Sequence, residues 1–217
     1  MSSLRDELLS KVDTLHAALN QIYALDSNWR NSGGWPSDVE GSTLHGGASS
    51  ETIAEAESRF GHEFPPSYKE FLKSHCSWEH FWGDFTLIGT GPPETQDAQD
   101  EIDENMEYQT SRLRRKLGDD FSAAAVATWE SEEERHLYLA NHLVIGTNFS
   151  GAHWVYDTRT RRKDGELTLV HWDISYGAQE PSFSTFYEFL EWALSVVVER
   201  LEWTKQEVAK AKKEQND

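Results

Sequence analysis

Residues 141–173 run NHLVIGTNFSGAHWVYDTRTRRKDGELTLVHWD, and the fold turns on how this stretch is read. Three short apolar runs lie in it: Leu143-Val144-Ile145, Trp154-Val155-Tyr156 and Leu167-Thr168-Leu169-Val170. Each is rich in β-branched or aromatic side chains, which pack well on a pleated surface. The first break, Asn148-Phe149-Ser150-Gly151, supplies residues that tolerate turn geometry. The second, residues 158–165, carries five charges and ends in Asp164-Gly165, a hairpin dipeptide. The pattern predicts three consecutive antiparallel strands. A meander so short cannot bury its apolar face alone, so other elements must cover it.

Composition bounds what those elements can be. A chain of 217 residues is expected to form one domain carrying an insert. Nine Trp, ten Phe and seven Tyr supply enough large side chains for a core. The formal net charge of −18 argues against nucleic acid as a direct ligand, because neutralising phosphates needs a basic face. It suits a basic protein partner. The lone Cys76 excludes an internal disulfide and a thiolate zinc cluster. No apolar run approaches the length of a bilayer span, and the N-terminus lacks a signal-peptide core, so a cytoplasmic protein with no membrane partner is expected.

Two long helices frame the chain. Leu4, Leu8, Val12, Leu15, Leu19 and Ile22 recur at helical spacing and predict a helix over 4–25. Near the other end, Phe186, Phe189, Leu190, Ala193, Leu194, Val197, Leu201 and Val208 do the same, and a helix over 182–208 is expected to start at Pro181-Ser182 after a loop over 176–180. Residues 26–47 read as a long loop, with Trp29 and Trp35 strapping it to the body.

Residues 47–74, GASSETIAEAESRFGHEFPPSYKEFLKS, encode a corner between two helices. Ser49 or Ser50 suits the N-cap, with Glu51 in the first turn. Ile53, Ala56, Glu57 and Phe60 run down one side, and Gly61 stops the helix. Pro65 bars the helical conformation, Pro66 suits the first turn of a new helix, and Tyr68, Phe71 and Leu72 give that helix an apolar side.

Residues 77–90 read as an aromatic loop followed by a strand at Phe85-Thr86-Leu87-Ile88. His75, Cys76, Glu79 and His80 match no standard metal-site spacing, and no metal or cofactor is expected there. Residues 94–134 form an acidic helical insert with thirteen acids against four bases, net −9, which is half the formal charge in under a fifth of the chain. Ile102, Met106, Gln109, Leu113 and Leu117 mark the inward side of a helix ending at Gly118. Arg112, Arg114, Arg115 and Lys116 fall in its last turns, where cations complement the helix dipole. Asp97, Asp100, Glu101, Asp103, Glu104 and Glu107 precede them, and Glu130, Glu132, Glu133 and Glu134 open a second short helix. The segment reads equally as a solvated helix face or as a docking surface for a basic protein, the second because uniform solubility charge would be more dispersed. Trp78 and Trp82 are the candidate aromatic anchors beside it.

The order of residues resembles the SMI1/KNR4 family, also called the SUKH superfamily. Its opening pattern appears as Gly47, Ser50, Ile53, Ala56-Glu57, Gly61, Phe64-Pro65, Tyr68 and Phe71-Leu72. Where the family has an Asn-Gly turn, this chain has Ser74-His75-Cys76-Ser77. The likeness resumes at Leu143-Val144-Ile145-Gly146, Gly151 and Trp154-Val155-Tyr156-Asp157, and closes with Ser182-Phe183, Phe186, Phe189 and Leu190. The resemblance implies an α+β fold, a mainly antiparallel sheet wrapped by helices, which the strand and helix patterns also predict. It further implies a protein that acts by binding. Bacterial members look like immunity proteins that neutralise secreted toxins, many of them nucleases, and fungal members act as scaffolds in cell-wall and proliferation signalling.

No phosphate-cradling glycine loop, nucleophile elbow or His-Glu-x-x-His pattern occurs in the chain. His153 and His171 lie beside strand aromatics without a nucleophile to serve, and structural histidines are expected. No catalytic residue is assigned and no enzyme is expected. The leading expectation is an immunity protein that blocks a basic, nuclease-type toxin by stoichiometric binding. A regulatory scaffold is the alternative, which long disordered flanks would favour. An unrecognised hydrolase stands third and would need converging carboxylates of raised pKa.

Overall fold

The computed structural model describes residues 4–25, 41–82, 85–91, 95–118 and 142–214. Trp29, Trp35 and Glu130 to Glu134 lie outside them. Its elements run α1 (Leu4–Leu25), β1 (Thr43–Leu44), α2 (Ser50–Phe60), α3 (Pro66–Leu72), β2 (Trp78–Trp82), β3 (Phe85–Leu87), α4 (Gln96–Leu117), β4 (His142–Thr147), β5 (Ala152–Asp157), β6 (Thr168–Asp173), β7 (Gly177–Phe183) and α5 (Phe186–Glu214). The seven strands form one antiparallel sheet in sequence order, with the expected three-strand meander at β4, β5 and β6. The fold is α+β, as the sequence predicts.

The predicted corner forms for the predicted reasons. Ser49 caps α2 by accepting from the Thr52 N–H at 3.1 Å. Gly61 ends it with φ +71°, a backbone that side chains with a Cβ rarely adopt. Glu57 then ties the corner together: its Oε1 accepts from the Phe64 N–H at 2.8 Å and pairs with Lys69 Nζ at 2.6 Å. Pro66 begins α3.

A buried carboxylate joins this corner to the C-terminal half. Glu166 is only 7% exposed. It accepts from the Ser67 N–H at 2.7 Å and from the Ser67 hydroxyl at 2.8 Å. Ser67 Oγ in turn accepts from the Phe186 N–H at 3.0 Å. The carboxylate thus faces the N-terminus of α3 directly and that of α5 through Ser67, where helix dipoles favour negative charge.

The sheet has two apolar faces. On one, Leu143, Ile145, Trp154, Tyr156 and Leu169 pack with Leu8, Val12 and Leu15 of α1, Tyr68 and Phe71 of α3, and Phe186, Phe189 and Val197 of α5. Trp154 lies 4.8 Å from Phe189 and 5.6 Å from Trp192, centroid to centroid. On the other face, Val144, Val155 and Trp172 pack with Ile88 and with Ala98 and Ile102 of α4.

Three expectations need correction. Within the expected 26–47 loop, Thr43–Leu44 is a short strand paired with β2. Residues 176–180 are not a loop before a helix: Gly177–Phe183 is a strand, and the helix starts at Phe186 and runs to Glu214 rather than stopping at 208. Pro181 conceals this strand, since proline cannot donate to a ladder. It is tolerated because β7 is a sheet edge and its register with β6 shifts between Val170 and His171, so that Glu180 and Pro181 bulge out. Likewise, residues 78–82 are a strand rather than a loop. His80 at φ +56° and an irregular register put it out of phase, so the usual alternation is missing from its sequence.

His153 on β5 is fully buried, its ring 5.6 Å from that of Trp172. Burial, reinforced by nearby His171, drives its pKa down to about 4, against the Asp173 carboxylate and the Gly146 backbone. Neither ring nitrogen reaches hydrogen-bonding geometry, so burial decides.

Three expected outcomes follow from this packing. Ile53→Asp, Phe71→Ala and Trp154→Ala should each cost about 3–5 kcal/mol in denaturant unfolding; wild-type midpoints would mean these side chains are not core. Glu166→Ala should cost about 2–4 kcal/mol, because it strands a buried N–H and hydroxyl, whereas Glu166→Gln, which keeps an acceptor, should cost less. Equal costs would show that the hydrogen bonds are not what Glu166 supplies. For His153 the unfolded ring binds a proton below about pH 6.5, while the folded ring resists it until about pH 4. Its contribution is therefore complete above that window and is lost as pH falls through it, by up to about 3 kcal/mol. The loss between about pH 7 and pH 4.5 should be visibly smaller in His153→Leu; identical losses would acquit this ring.

Candidate functional site

Helix α4 is built to show one side and hide the other. Ala98, Ile102, Gln109 and Leu113 are buried and Met106 is half-buried, the stripe that the sequence predicts with Ala98 added. The Leu117 side chain lies outside the described residues. Thr95 precedes the helix and donates its hydroxyl to the Ile88 carbonyl at 3.2 Å, fixing the entry to β3. Gly118 ends it at φ +62°, its N–H reaching the Arg114 carbonyl. The one polar group of the stripe is satisfied: Gln109 Nε2 donates to the Ile174 carbonyl at 3.3 Å.

The six carboxylates fall off that stripe. Asp97, Asp100, Asp103, Glu104 and Glu107 are exposed and Glu101 is half-buried. They also stack like on like. Asp97–Glu101, Asp100–Glu104 and Asp103–Glu107 are all four residues apart, a spacing at which equal charges repel by a few tenths of a kcal/mol. What relief they find comes from neutral amides: Gln96 Nε2 donates to Asp100 at 2.6 Å, Gln99 Nε2 to Asp103 at 2.9 Å and Asn105 Nδ2 to Glu101 at 2.8 Å. Among the described residues none of the six is in an ion pair. Some acids elsewhere are treated differently: Glu57 pairs with Lys69, Glu70 with Lys73, Glu191 with Lys11 and Glu202 with Lys205. Not every acid elsewhere is paired, since exposed Glu55, Glu63, Glu199 and Glu207 are in no ion pair among the described residues; α4 differs in holding six unpaired acids on one helix.

A groove of about 530 Å³ runs between α4 and the β6–β7 turn. Glu101, Glu104, Asn105, Tyr108 and Arg112 form its helical wall, and Ile174 and Ser175 form the other. The five helical positions are three or four residues apart and so line one face, adjacent to the buried stripe. Sequence reasoning missed Tyr108, Ile174 and Ser175 because the turn that meets α4 is distant in sequence.

Trp78 and Trp82 do not belong here. Trp78 is fully buried, donates its indole N–H to Ser42 Oγ at 2.6 Å and meets Phe81 edge-on at 4.9 Å. As an anchor for a partner it is overturned: a strand, where a loop was expected, carries it into the core. Trp82 packs on Trp192, centroids 6.0 Å apart, on the face away from α4.

The candidate chemical groups are held elsewhere. Glu79 pairs with His45 at 2.6 Å. Among the described residues no three His, Cys, Asp or Glu side chains converge to hold a metal. Burial lowers the pKa of His75, His80 and His171. Asp157 is pushed up by burial but pulled down further by hydrogen bonds from Arg159, for a net fall. Asp164, beside Arg162, also falls. No helix among the described residues is long and apolar enough to cross a membrane.

No curated protein matches this chain. The family model SUKH_6, described as SMI1-KNR4 cell-wall, matches residues 50–190, a span from the N-terminus of α2 through the first turn of α5. With the helix corner at Gly61 and Pro66, the antiparallel meander and the Phe186–Phe189–Leu190 start of α5 all inside that span, the chain belongs to the SMI1-KNR4 (SUKH) family.

Proposed function

We propose that this protein is an immunity protein. It acts in the cytoplasm by binding a basic, nuclease-type toxin one to one, and the carboxylates of α4 are its main docking surface. The observation that carries this reading is the uncompensated charge of α4. Six acids stand on one rigid helix anchored to the sheet, held in like-charged pairs and relieved only by amides. A helix that served solubility alone would gain by pairing them with lysines, as Glu57, Glu70, Glu191 and Glu202 are paired elsewhere. A nuclease must present a basic groove to phosphates, and a fixed row of carboxylates competes for that groove. Family membership supports the reading, since an inhibitory binder needs a scaffold and a variable surface and no catalytic apparatus.

The test uses a basic nuclease-type toxin, sought among the genes next to this one. One equivalent of the protein should abolish its activity, and a substoichiometric amount should protect only in proportion. Turnover-dependent inactivation would instead make the protein an enzyme. Replacing Asp100 with Asn and Glu101, Glu104 and Glu107 with Gln together should slow association by roughly tenfold or more at low salt, with less effect at high salt. The melting temperature should not fall, because these side chains lie off the Ala98-Ile102-Leu113 stripe. Unchanged association at low salt would reduce the acidic row to a solvated helix face. Absence of any toxin binding would favour the regulatory-scaffold reading.

A further inference from the structure

We propose that the groove between α4 and the β6–β7 turn seats a Lys- or Arg-bearing segment of the protein partner, with Tyr108 and Tyr176 as its aromatic anchors. The assignment rests on the docking role given to α4 above and narrows it to one groove and one kind of occupant.

Aromatic exposure is the first observation. Tyr108 is 52% exposed, Tyr176 76% and Phe149 44%. The three stand on α4, on the β6–β7 turn that meets it, and on the β4–β5 turn bonded to that turn, at one end of the sheet. Tyr108 lines the groove, and Tyr176 directly follows the lining residue Ser175. Phe149 tips the adjoining β4–β5 turn. By contrast, exposed Trp203 on α5 is topped by the Arg200 guanidinium, 4.2 Å from its ring.

The platform is also rigid. The Ile174 N–H donates to the Gly151 carbonyl at 2.9 Å, locking the two turns together, and Gln109 ties Ile174 to α4. Asp173 Oδ1 accepts from the N–H groups of Ser175 at 2.7 Å and Tyr176 at 3.2 Å. Asn148 Oδ1 does the same for Ser150 and Ala152, both at 3.0 Å. Within that turn Phe149 is held at φ +57°, a conformation that few non-glycine residues adopt. Rings held outward on fixed turns lose little freedom when a partner arrives.

Charge selects the occupant. Glu101 and Glu104 line the groove, and Asp97, one turn before Glu101, lies on the same side of the helix. Tyrosine faces attract cations, and arginine most of all, while the phenol oxygen stays in water. An acidic segment or a phosphate would meet the carboxylates of Glu101 and Glu104. Arg112 closes the far end, about 12 Å beyond Glu104 at the helical rise per residue. The potential therefore changes sign along the groove, which sets the direction of the segment: its basic residue over Glu101 and Glu104, its carbonyl or acidic end toward Arg112.

The test titrates the full chain, labelled for amide NMR, with the capped peptide acetyl-Gly-Arg-Leu-Arg-Gly-amide and with its counterpart bearing Glu for Arg. The basic peptide should shift Glu101, Glu104, Tyr108, Ile174 and Ser175, and the acidic one should not. Tyr108→Ser with Tyr176→Ser should weaken the basic peptide roughly tenfold without lowering the melting temperature. Equal binding of both peptides, shifts spread evenly to acids on α5 such as Glu199 and Glu202, or an unweakened double variant would overturn the assignment. The toxin of the preceding test separates this inference from its premise. Toxin bound at wild-type affinity by the double variant sinks the groove and leaves the immunity reading standing. Peptide bound in the groove without any toxin binding sinks the immunity reading and leaves the groove.

Discussion

Strands β4 and β5 bury every side chain from His142 to Thr147 and from Ala152 to Tyr156, on both faces of the sheet. Successive side chains of a strand point to opposite sides, so a strand buried throughout must be covered twice. Helices α1, α3 and α5 cover one side. On the other, Val144, Val155 and Trp172 would face water if α4 did not lie over them. This requirement fixes α4 in place and makes it more than an appendage. Its apolar stripe closes the second core, and its charged side is left outward as a consequence.

Covering both faces does not by itself join the chain's two halves, and Glu166 does that. Its carboxylate is reached by Ser67 from α3, and Ser67 carries the link on to the first N–H of α5. A buried carboxylate is tolerable because three hydrogen-bond donors and two helix N-termini surround the Glu166–Ser67 pair. The helix corner around Gly61, the β5–β6 connection and the last helix therefore hold one another in register. A change at any of the three is felt by the other two.

Much of this was legible in the sequence, and the failures have physical causes. β-branched runs between turn residues marked β4, β5 and β6, since propensity, pattern and turn chemistry agree there. Ser49, Gly61 and Pro66 marked the corner because each has a local backbone role that needs no distant partner. The Ile102–Leu113 side of α4 was readable from its spacing. Where local rules conflict with tertiary position, reading fails. Pro181 speaks against a strand, yet an edge strand with a bulge accepts it. His80 shifts the phase of β2, so Trp78 passed for an exposed ring although it is among the most deeply buried. The six acids of α4 were found, but the groove beside them was not. It exists only because Ile174 and Ser175 are brought against α4 by a turn more than sixty residues away in sequence.

The two sides of α4 divide stability from recognition. Each like-charged pair on its outward side subtracts a few tenths of a kcal/mol from the helix, while each buried side chain on the inward side returns about 1.5–3 kcal/mol where it is large. Burial of Ile102 against the sheet, with Leu113 also buried, therefore outweighs the repulsion among all three pairs. An isolated peptide of this sequence would lack that packing, and repulsion among its like-charged pairs would work against the dipole's favourable placing of Asp97 and the C-terminal arginines. The acidic row is ordered only because Trp172 and Val155 lie behind it. The same arrangement lets the outward residues change with little effect on the core, since the six carboxylates lie off the buried Ala98-Ile102-Leu113 stripe. A scaffold of this kind can be fitted to a new partner by altering charge and ring positions along a single helix and the turn that faces it.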